Sequence, residues 1–281
     1  MGPQKIHIYY ETFESKIGYR WFLGGRKHFG YYPLDYKKLS YTKAMDNMET
    51  ELINRIGLPE NSIILDAGCG MGRVASHLAQ RKKWNITGID ILPWNLVEAR
   101  KYAKKNAPLG SLRFIEASYE KLPFPDASFD AIYTMETFVH AEHPAIVLKE
   151  LSRVLKPRGK LVQFEYEYQD DLITGSLKDR LDKVIIDSYM PGLFEFKFNQ
   201  IEKYQIASGF AEVKTEDITA YILPMLKSFY KLAYIPYYVA IIFGTKPIKY
   251  VNARAAVEFY RTQPAWRYVI VSGKKAKNLK S

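Results

Sequence analysis

The sequence predicts an α/β domain built on a mostly parallel sheet with helices on both faces. Three observations predict it. Strand-like and helix-like stretches alternate between residues 61 and 170; the first strand-like run ends in a glycine-rich loop; and the second ends in an acid. Strands alternating with helices of about 10 to 15 residues are the pattern of parallel units whose strands are buried on both sides.

The elements follow in order. NSIILDAG is a short apolar run that stops at the glycine loop, and GRVASHLAQRKK after it places Val74, Leu78 and Ala79 on one helical face. NITGID is a second strand. PWNLVEARKYAKKNA opens with Pro93 at a first helical position and repeats Leu96, Ala99 and Ala103 at helical intervals. LRFIEA, FDAIYTM and GKLVQFEYEY are the third, fourth and fifth strands. The helix AIVLKELSRVLK lies between the last two and is expected to stop at Pro157-Arg158-Gly159. NQIEKYQIASGF and AEVKTEDI read as a further helix and strand, and WRYVIVSG as a final strand. The flanks differ in kind. Residues 1–50, with the turn-rich aromatic stretch FLGGRKHFGYYP, read as an N-terminal cap on a domain of residues 51–281. Two insertions interrupt that domain, at about 170–197 and 221–265.

At 281 residues with 47% hydrophobic and 25% charged residues, the chain has the balance of a soluble globular protein with a sizeable core. A single cysteine, Cys69, excludes an internal disulfide and fits a reducing compartment. MGPQKIHIYY has no apolar core of a secretory signal, and Ile6 stands where a myristoylation motif needs Ser or Thr, so a cytoplasmic location is expected. The greasiest run, FYKLAYIPYYVAIIF at 229–243, is broken by Lys231 and Pro236 and is too short to span a bilayer. A buried helix, a pocket wall and a peripheral membrane contact all fit it. The net charge of +11 is diffuse, and four of its lysines sit in the tail KKAKNLKS. No zinc-finger or RNP-like pattern accompanies it, so no nucleic-acid partner is expected.

The glycine loop is Asp66-Ala67-Gly68-Cys69-Gly70-Met71-Gly72-Arg73. Glycines let the backbone turn sharply and approach a ligand, and the helix behind points its N–H groups there. Arg73 occupies the place of the third glycine in the dinucleotide GxGxxG. Asp66 at the strand end would repel a pyrophosphate but attract an ammonium or sulfonium. The pattern therefore suits a nucleoside ligand carrying positive charge. Asp90, 24 positions beyond Asp66, is placed either to accept from ribose hydroxyls or to cap the helix from Pro93.

The stretch IYTMETFVHAEHP, 132–144, begins as an apolar strand and then sets Glu136, His140, Glu142 and His143 within eight positions. Such a strand end is an active-site rim, a metal site or a polar turn. A metal is not expected: HExxH is absent, and the cysteine pair that accompanies an H-x-E zinc motif is impossible with one cysteine. His143 and Glu142 are read as flanking the helix from Pro144, and Cys69 as a small loop residue.

ILDAGCGMG, GID, LPFPDASFD and RVLKPRG resemble the motifs of class I S-adenosylmethionine-dependent methyltransferases over about residues 45–170. The resemblance implies a Rossmann-like seven-stranded sheet, mostly parallel with the last strand antiparallel. It also implies S-adenosyl-L-methionine as cofactor and S-adenosyl-L-homocysteine as product. It carries cofactor contacts onto Asp66, Gly68, Gly70, Asp90, Ile91, Ser118, Tyr119 and Tyr10. The family often has an acid before LPF to read the adenine amino group. Here Ala117-Ser118-Tyr119 stands there, so the Ser118 hydroxyl would serve. Arg158 replaces a common glycine of the last motif.

GGRKHFGYY and METFVHAEHP resemble the sterol and tocopherol methyltransferase group within that family. This puts Glu136 and His140 at the inner rim of the acceptor pocket, with His28, Tyr31 and Tyr32 folding over from the cap. It implies methyl transfer to a lipophilic small molecule, with Glu136, His140 and His28 as catalytic residues. The aromatic 221–266 segment would wall the pocket, although plain core packing explains it equally. A nucleic-acid methyltransferase and a non-catalytic cofactor-binding protein are the alternatives.

Overall fold

In the computed structural model, which describes residues 24–106, 109–244 and 247–277, seven strands form one sheet in the order β3-β2-β1-β4-β5-β7-β6. The strands are β1 (Ile63–Ala67), β2 (Asn85–Asp90), β3 (Leu112–Glu116), β4 (Phe129–Met135), β5 (Leu155–Tyr168), β6 (Phe210–Asp217) and β7 (Trp266–Lys275). The first five pair in parallel, and β7 runs antiparallel to both β5 and β6. This is the Rossmann-like methyltransferase sheet that the motifs imply. Its order reverses between β1 and β4, and a crevice opens beyond the strand ends at such a point. Asp66 pairs in register with Gly88 on one side and Tyr133 on the other, so the polar ends of three strands converge there.

The helices are α1 (Tyr41–Ile56), α2 (Arg73–Arg81), α3 (Pro93–Lys105), α4 (Pro144–Val154), α5 (Gly175–Asp187), α6 (Gln200–Ala207), α7 (Thr219–Ile242) and α8 (Val251–Arg261). Of the expected periodic faces, Leu78 and Ala79 on α2 and Leu96 and Ala99 on α3 are buried, while Val74 and Ala103 are half-buried; α4 buries Val147, Leu148 and Leu151. They enclose the sheet with β-strand residues such as Ile64, Ile132, Val162 and Phe164 in one continuous core.

Three boundaries differ from expectation. A division at residue 50 falls inside α1, whose Met48, Leu52, Ile53 and Ile56 belong to the main core. Among the described residues, 24–39 lie before Ser40, which caps α1 by accepting from the Lys43 N–H at 3.2 Å, and form a strap over the domain. The helix expected to reach Pro157 ends at Val154, because Leu155 is already extended and pairs with Phe129. Arg158 then takes the left-handed conformation (φ 66°) in which the family more often has glycine. The apolar run 229–243 belongs to the 24-residue α7, which continues through Pro224 and Pro236. Even so, no helix among the described residues is long and apolar enough to cross a membrane.

Candidate active site

A cleft of ≈ 180 Å³ opens at the switch point. It is lined by the glycine loop, by Asp66, Asp90, Ile91, Ser118 and Tyr119, by Glu136 and His140, and by Lys27 and His28 of the strap. Every described residue expected to touch cofactor is thus in one place. Tyr10 lies outside the described residues.

The loop is shaped by its glycines. Gly68 sits at φ 101°, and a Cβ there would come within 2.2 Å of Thr137 Oγ1. Gly72 caps α2 from the left-handed region, and its missing Cβ leaves room for Phe114 and Ala99. The Gly68 and Cys69 N–H groups donate to Ile89 O, which draws the loop onto β2. The Cys69 thiol is buried and pushed well up by that burial, so it stays a neutral packing group.

Asp90 is tied to both the glycine loop and the turn before α3. Its Oδ2 accepts from the Gly70 N–H at 2.8 Å, and its Oδ1 accepts from Leu92 N–H at 2.8 Å and the Asn95 amide at 3.1 Å. The carboxylate therefore joins the glycine loop to the start of α3 and still faces the cleft. Asp66 is less provided for. It is buried, its Oδ2 has no hydrogen-bond partner among the described residues, and burial raises its pKa to about 7. A cation would supply what this carboxyl lacks. The fit with the ammonium and sulfonium of S-adenosylmethionine rests on that orphaned atom. Ser118 Oγ accepts from the Glu120 N–H at 3.2 Å, and the Tyr119 hydroxyl donates to Thr137 O at 3.2 Å.

Glu136 ends β4 in left-handed backbone (φ 53°). Its Oε1 accepts from the Phe29 N–H at 2.7 Å and the Tyr268 hydroxyl at 3.0 Å, and its Oε2 from the Tyr166 hydroxyl at 2.5 Å. Burial raises its pKa, and these donors offset part of the rise. The aromatic rings of Phe29, Tyr166 and Tyr268 meet edge to face around it, with centroids 5.1–6.3 Å apart. His140, on the short 3-10 turn Phe138–His140, is hydrogen-bonded through Nδ1 to Tyr189 O. A carbonyl can only accept, so the proton resides on Nδ1 and Nε2 is the basic nitrogen. Burial lowers the imidazole pKa to about 4.

His28 lines the cleft but is committed elsewhere. Its Nδ1 donates to Phe29 O at 2.9 Å and its Nε2 lies 3.2 Å from Glu49. Burial opposes its charge, but the Glu49 carboxylate prevails and raises its pKa. Burial would likewise push Glu49 up, yet the His28 and His77 hydrogen bonds and Arg26 bring it down to about 2. Asp46, Glu49 and His77 could together ligate a metal ion, but the Arg26 guanidinium lies 2.8 Å from Asp46 and 3.0 Å from Glu49 and fills that role.

Tyr31 and Tyr32, expected at the rim, do not line the cleft. Tyr31 stacks on Tyr221 with centroids 4.4 Å apart, and Tyr32 is buried with Ala44, Met45 and Met225, so both fasten the strap to α1 and α7. Nor does any described residue of 221–265 wall the cleft. Within that segment α7 packs against β7, the strap and α8, and the segment meets the residues around Glu136 through Phe229 on Phe29 and Phe259 on Tyr166. Tyr189, from the 170–197 insertion, does line it. Glu142, expected only to flank a helix, accepts a hydrogen bond from the Tyr189 hydroxyl.

Lys27, which lines the cleft, and Glu165, buried beneath the turn after β4, were not singled out by sequence. Lys27 lies 5.2 Å over the Trp94 ring and 3.4 Å from Asn95 Oδ1, its pKa lowered by burial to about 8. Glu165 is fully buried and accepts from the Phe138 and Thr137 N–H groups at 2.8 and 3.2 Å. Burial raises its pKa to about 8. Lys27 lies within the quoted GGRKHF motif, which was its available signal. Nothing in FEYEY marks Glu165.

A seven-stranded sheet of this order, with a glycine loop and two strand-end carboxylates at the switch point, defines a class I S-adenosylmethionine-binding enzyme. Residues 65–163 match the model of the methyltransferase domain family. The chain belongs to the S-adenosylmethionine-dependent methyltransferases, and S-adenosylmethionine is its cofactor. It is 32% identical over 98% of its length to an S-adenosyl-L-methionine-dependent Diels-Alderase of Talaromyces variabilis, covering 96% of that protein. It is also 32% identical over 64% of its length to a sterol 24-C-methyltransferase of Gibberella zeae, of which it spans about half (48%). Among solved structures, the [4+2]-cyclase SpnF superposes with a TM-score of 0.79 at 22% identity, covering 99% of this chain and 97% of that one, which shows the shared fold. The sterol 24-C-methyltransferases among these relatives act, by their name, on sterols.

Proposed function

We propose that the protein methylates a carbon of an unsaturated lipophilic small molecule, such as a sterol, terpenoid or polyene. The observation that carries this reading is the pair at the end of β4: a carboxylate ringed by aromatic side chains and a neutral, weakly basic imidazole. Bound S-adenosylmethionine supplies an electrophilic methyl group. As the S–CH3 bond breaks and a C–CH3 bond forms on an alkene, positive charge develops on the neighbouring acceptor carbon. Glu136, which lines the cleft and is held by Phe29, Tyr166 and Tyr268, is suited to stabilise that charge. The proton then lost from the acceptor is strongly acidic, and an imidazole with a pKa of about 4 can take it at Nε2. The same imidazole would be a poor base for a phenol or an amide-like nitrogen. Glu136 remains the alternative acceptor of that proton. Asp66, Asp90, Ser118 and Tyr119 would hold the cofactor, and His28 would position the strap through Glu49. A lipophilic acceptor partitions into lipid, so this reading includes peripheral contact with a membrane.

A second reading is a [4+2] cyclisation in which the cofactor is bound but not consumed. The full-length similarity to a Diels-Alderase favours it. One experiment separates the two. Calorimetry is run with S-adenosylmethionine, using Asp90→Ala as control, followed by mass spectrometry of sterol, terpenoid and polyene acceptors. Methyl transfer predicts S-adenosylhomocysteine in equal amount to a product heavier by one methylene. Cyclisation predicts a product of unchanged mass and no S-adenosylhomocysteine. Failure to bind cofactor, or binding unaltered in Asp90→Ala, would overturn the assignment of the site.

A further inference from the structure

Along the second half of α7, Leu232, Ile235, Val239 and Ile242 recur at steps of three and four residues and so lie on one face of the helix. They are 59%, 71%, 45% and 78% exposed, and Phe243 at the helix end is 80% exposed. The opposite face is fully engaged: Tyr230 stacks on Tyr260 at 4.4 Å, and the buried Tyr237 donates to Glu258 at 2.6 Å. The helix is therefore seated, and its outward stripe is a surface. Contiguous exposed apolar side chains on a folded domain mark a contact site.

Charge indicates what covers it. From Thr219 to Val257 there is no Asp or Glu, whereas Lys227, Lys231 and Lys249 are exposed. An apolar stripe with lysines beside it and Tyr234 and Phe243 at its margins is the composition of a helix lying in a lipid interface. Exposed lysines beside the stripe, in a stretch of chain without acids, are complementary to anionic headgroups. The same helix also reaches the active site. In its first half, the Met225 sulfur accepts from the Gly30 N–H at 3.0 Å, and Phe229 lies 6.1 Å from Phe29, whose N–H holds Glu136.

We propose that this face of α7 docks on an anionic membrane surface, from which a dissolved acceptor passes to the cleft. The delivery role rests on the lipophilic acceptor proposed above, while the lipid contact itself is measured without one. The full chain, without cofactor or acceptor, is sedimented with vesicles of phosphatidylcholine or of phosphatidylcholine with phosphatidylserine. Binding is expected only to the anionic vesicles and is released by high salt. It should weaken about fivefold for each of Lys227→Gln and Lys231→Gln, and be lost in the double variant Ile235→Glu/Phe243→Glu. Calorimetric binding of S-adenosylmethionine and turnover of a detergent-dispersed acceptor should be unchanged in all three variants, which shows that each folds. Equal binding to both vesicle types, or binding that survives the double variant, overturns the proposal. So does a dimer in analytical ultracentrifugation that the double variant disperses while no vesicle is bound, since the face would then belong to a second copy. Vesicle binding without turnover of any lipophilic acceptor would instead sink the substrate reading and leave the lipid contact standing.

Discussion

Glu136 occupies a backbone conformation that costs a non-glycine residue about 1–2 kcal/mol. It is held there by its own N–H on Phe164 O at 2.8 Å and by three donors on its carboxylate. Strain maintained at a strand end by so many contacts puts the carboxylate where the acceptor is proposed to react. Glu136→Gln keeps the shape and one acceptor oxygen but removes the charge. Turnover is expected to fall by about a hundredfold, with S-adenosylmethionine binding unchanged by calorimetry. Because burial sets the His140 pKa at about 4, below its unfolded value of 6.5, the imidazole stays neutral through neutral pH and charges only as pH approaches 4. A pH–rate profile should thus keep its plateau through mildly acid pH and fall toward pH 4 on account of this group. A fall centred near 6.5 would show that His140 is not so placed. Glu136 and His140 are visible in METFVH, but the partners of their side-chain hydrogen bonds lie 30 to 132 residues away and are not.

At the scale of the element, β5 teaches the most. Its alternation FEYEY suggests one buried and one solvated face, yet Phe164, Glu165, Tyr166, Glu167 and Tyr168 are all buried. The strand is central, so both faces are covered, and each polar group has found work. Tyr166 holds Glu136, Tyr168 donates to Asp182 at 2.9 Å, and Glu167 accepts from Arg267 at 2.6 Å. Glu165 supports the turn that carries Thr137 and Phe138, its second oxygen having no hydrogen-bond partner among the described residues. Its folded pKa of about 8 exceeds the usual 4.5, so the folded state binds the extra proton. Stability conferred by this group is complete below pH 4.5 and is lost as pH rises toward 8. Glu165→Gln keeps the acceptor for both N–H groups and removes the titration. Its thermal midpoint should match the parent at pH 4 and exceed it at pH 8 by roughly 1–2 kcal/mol, or about 3–6 °C. An equal shift at both pH values would exclude this account.

For the whole molecule, the strap over the cleft ties the cofactor site to global stability. Residues 26–32 are fastened by the Arg26–Glu49 and His28–Glu49 pairs, by Tyr31 on Tyr221 and by the packing of Tyr32. The strap and the loop of β1 face each other across the bound ligand's place, so occupancy should stabilise the folded state as one unit. S-adenosylmethionine at a hundred times its Kd is expected to add about 2.7 kcal/mol, a thermal shift of roughly 5–10 °C for a chain of this size. Scanning fluorimetry should show that shift in the parent and not in Asp90→Ala.

The sequence by itself determined the strand and helix pattern of the sheet, the glycine loop and the strand-end carboxylates. Each of these depends on local chemistry: strand and helix periods, glycine at left-handed positions, and acids where strands stop; the cofactor followed from the resemblance of these motifs to a family. Tertiary structure alone decided the rest. It turned Tyr31 and Tyr32 away from the cleft and onto α1 and α7. It withdrew the aromatic 221–265 segment from the pocket wall and left a bare apolar stripe on α7. It also buried Glu165 and committed His28 to Glu49. The physical reason is common to all of these. Which face of a segment is covered, and which charge a buried group meets, depends on partners distant in the chain, and no spacing within the segment records them.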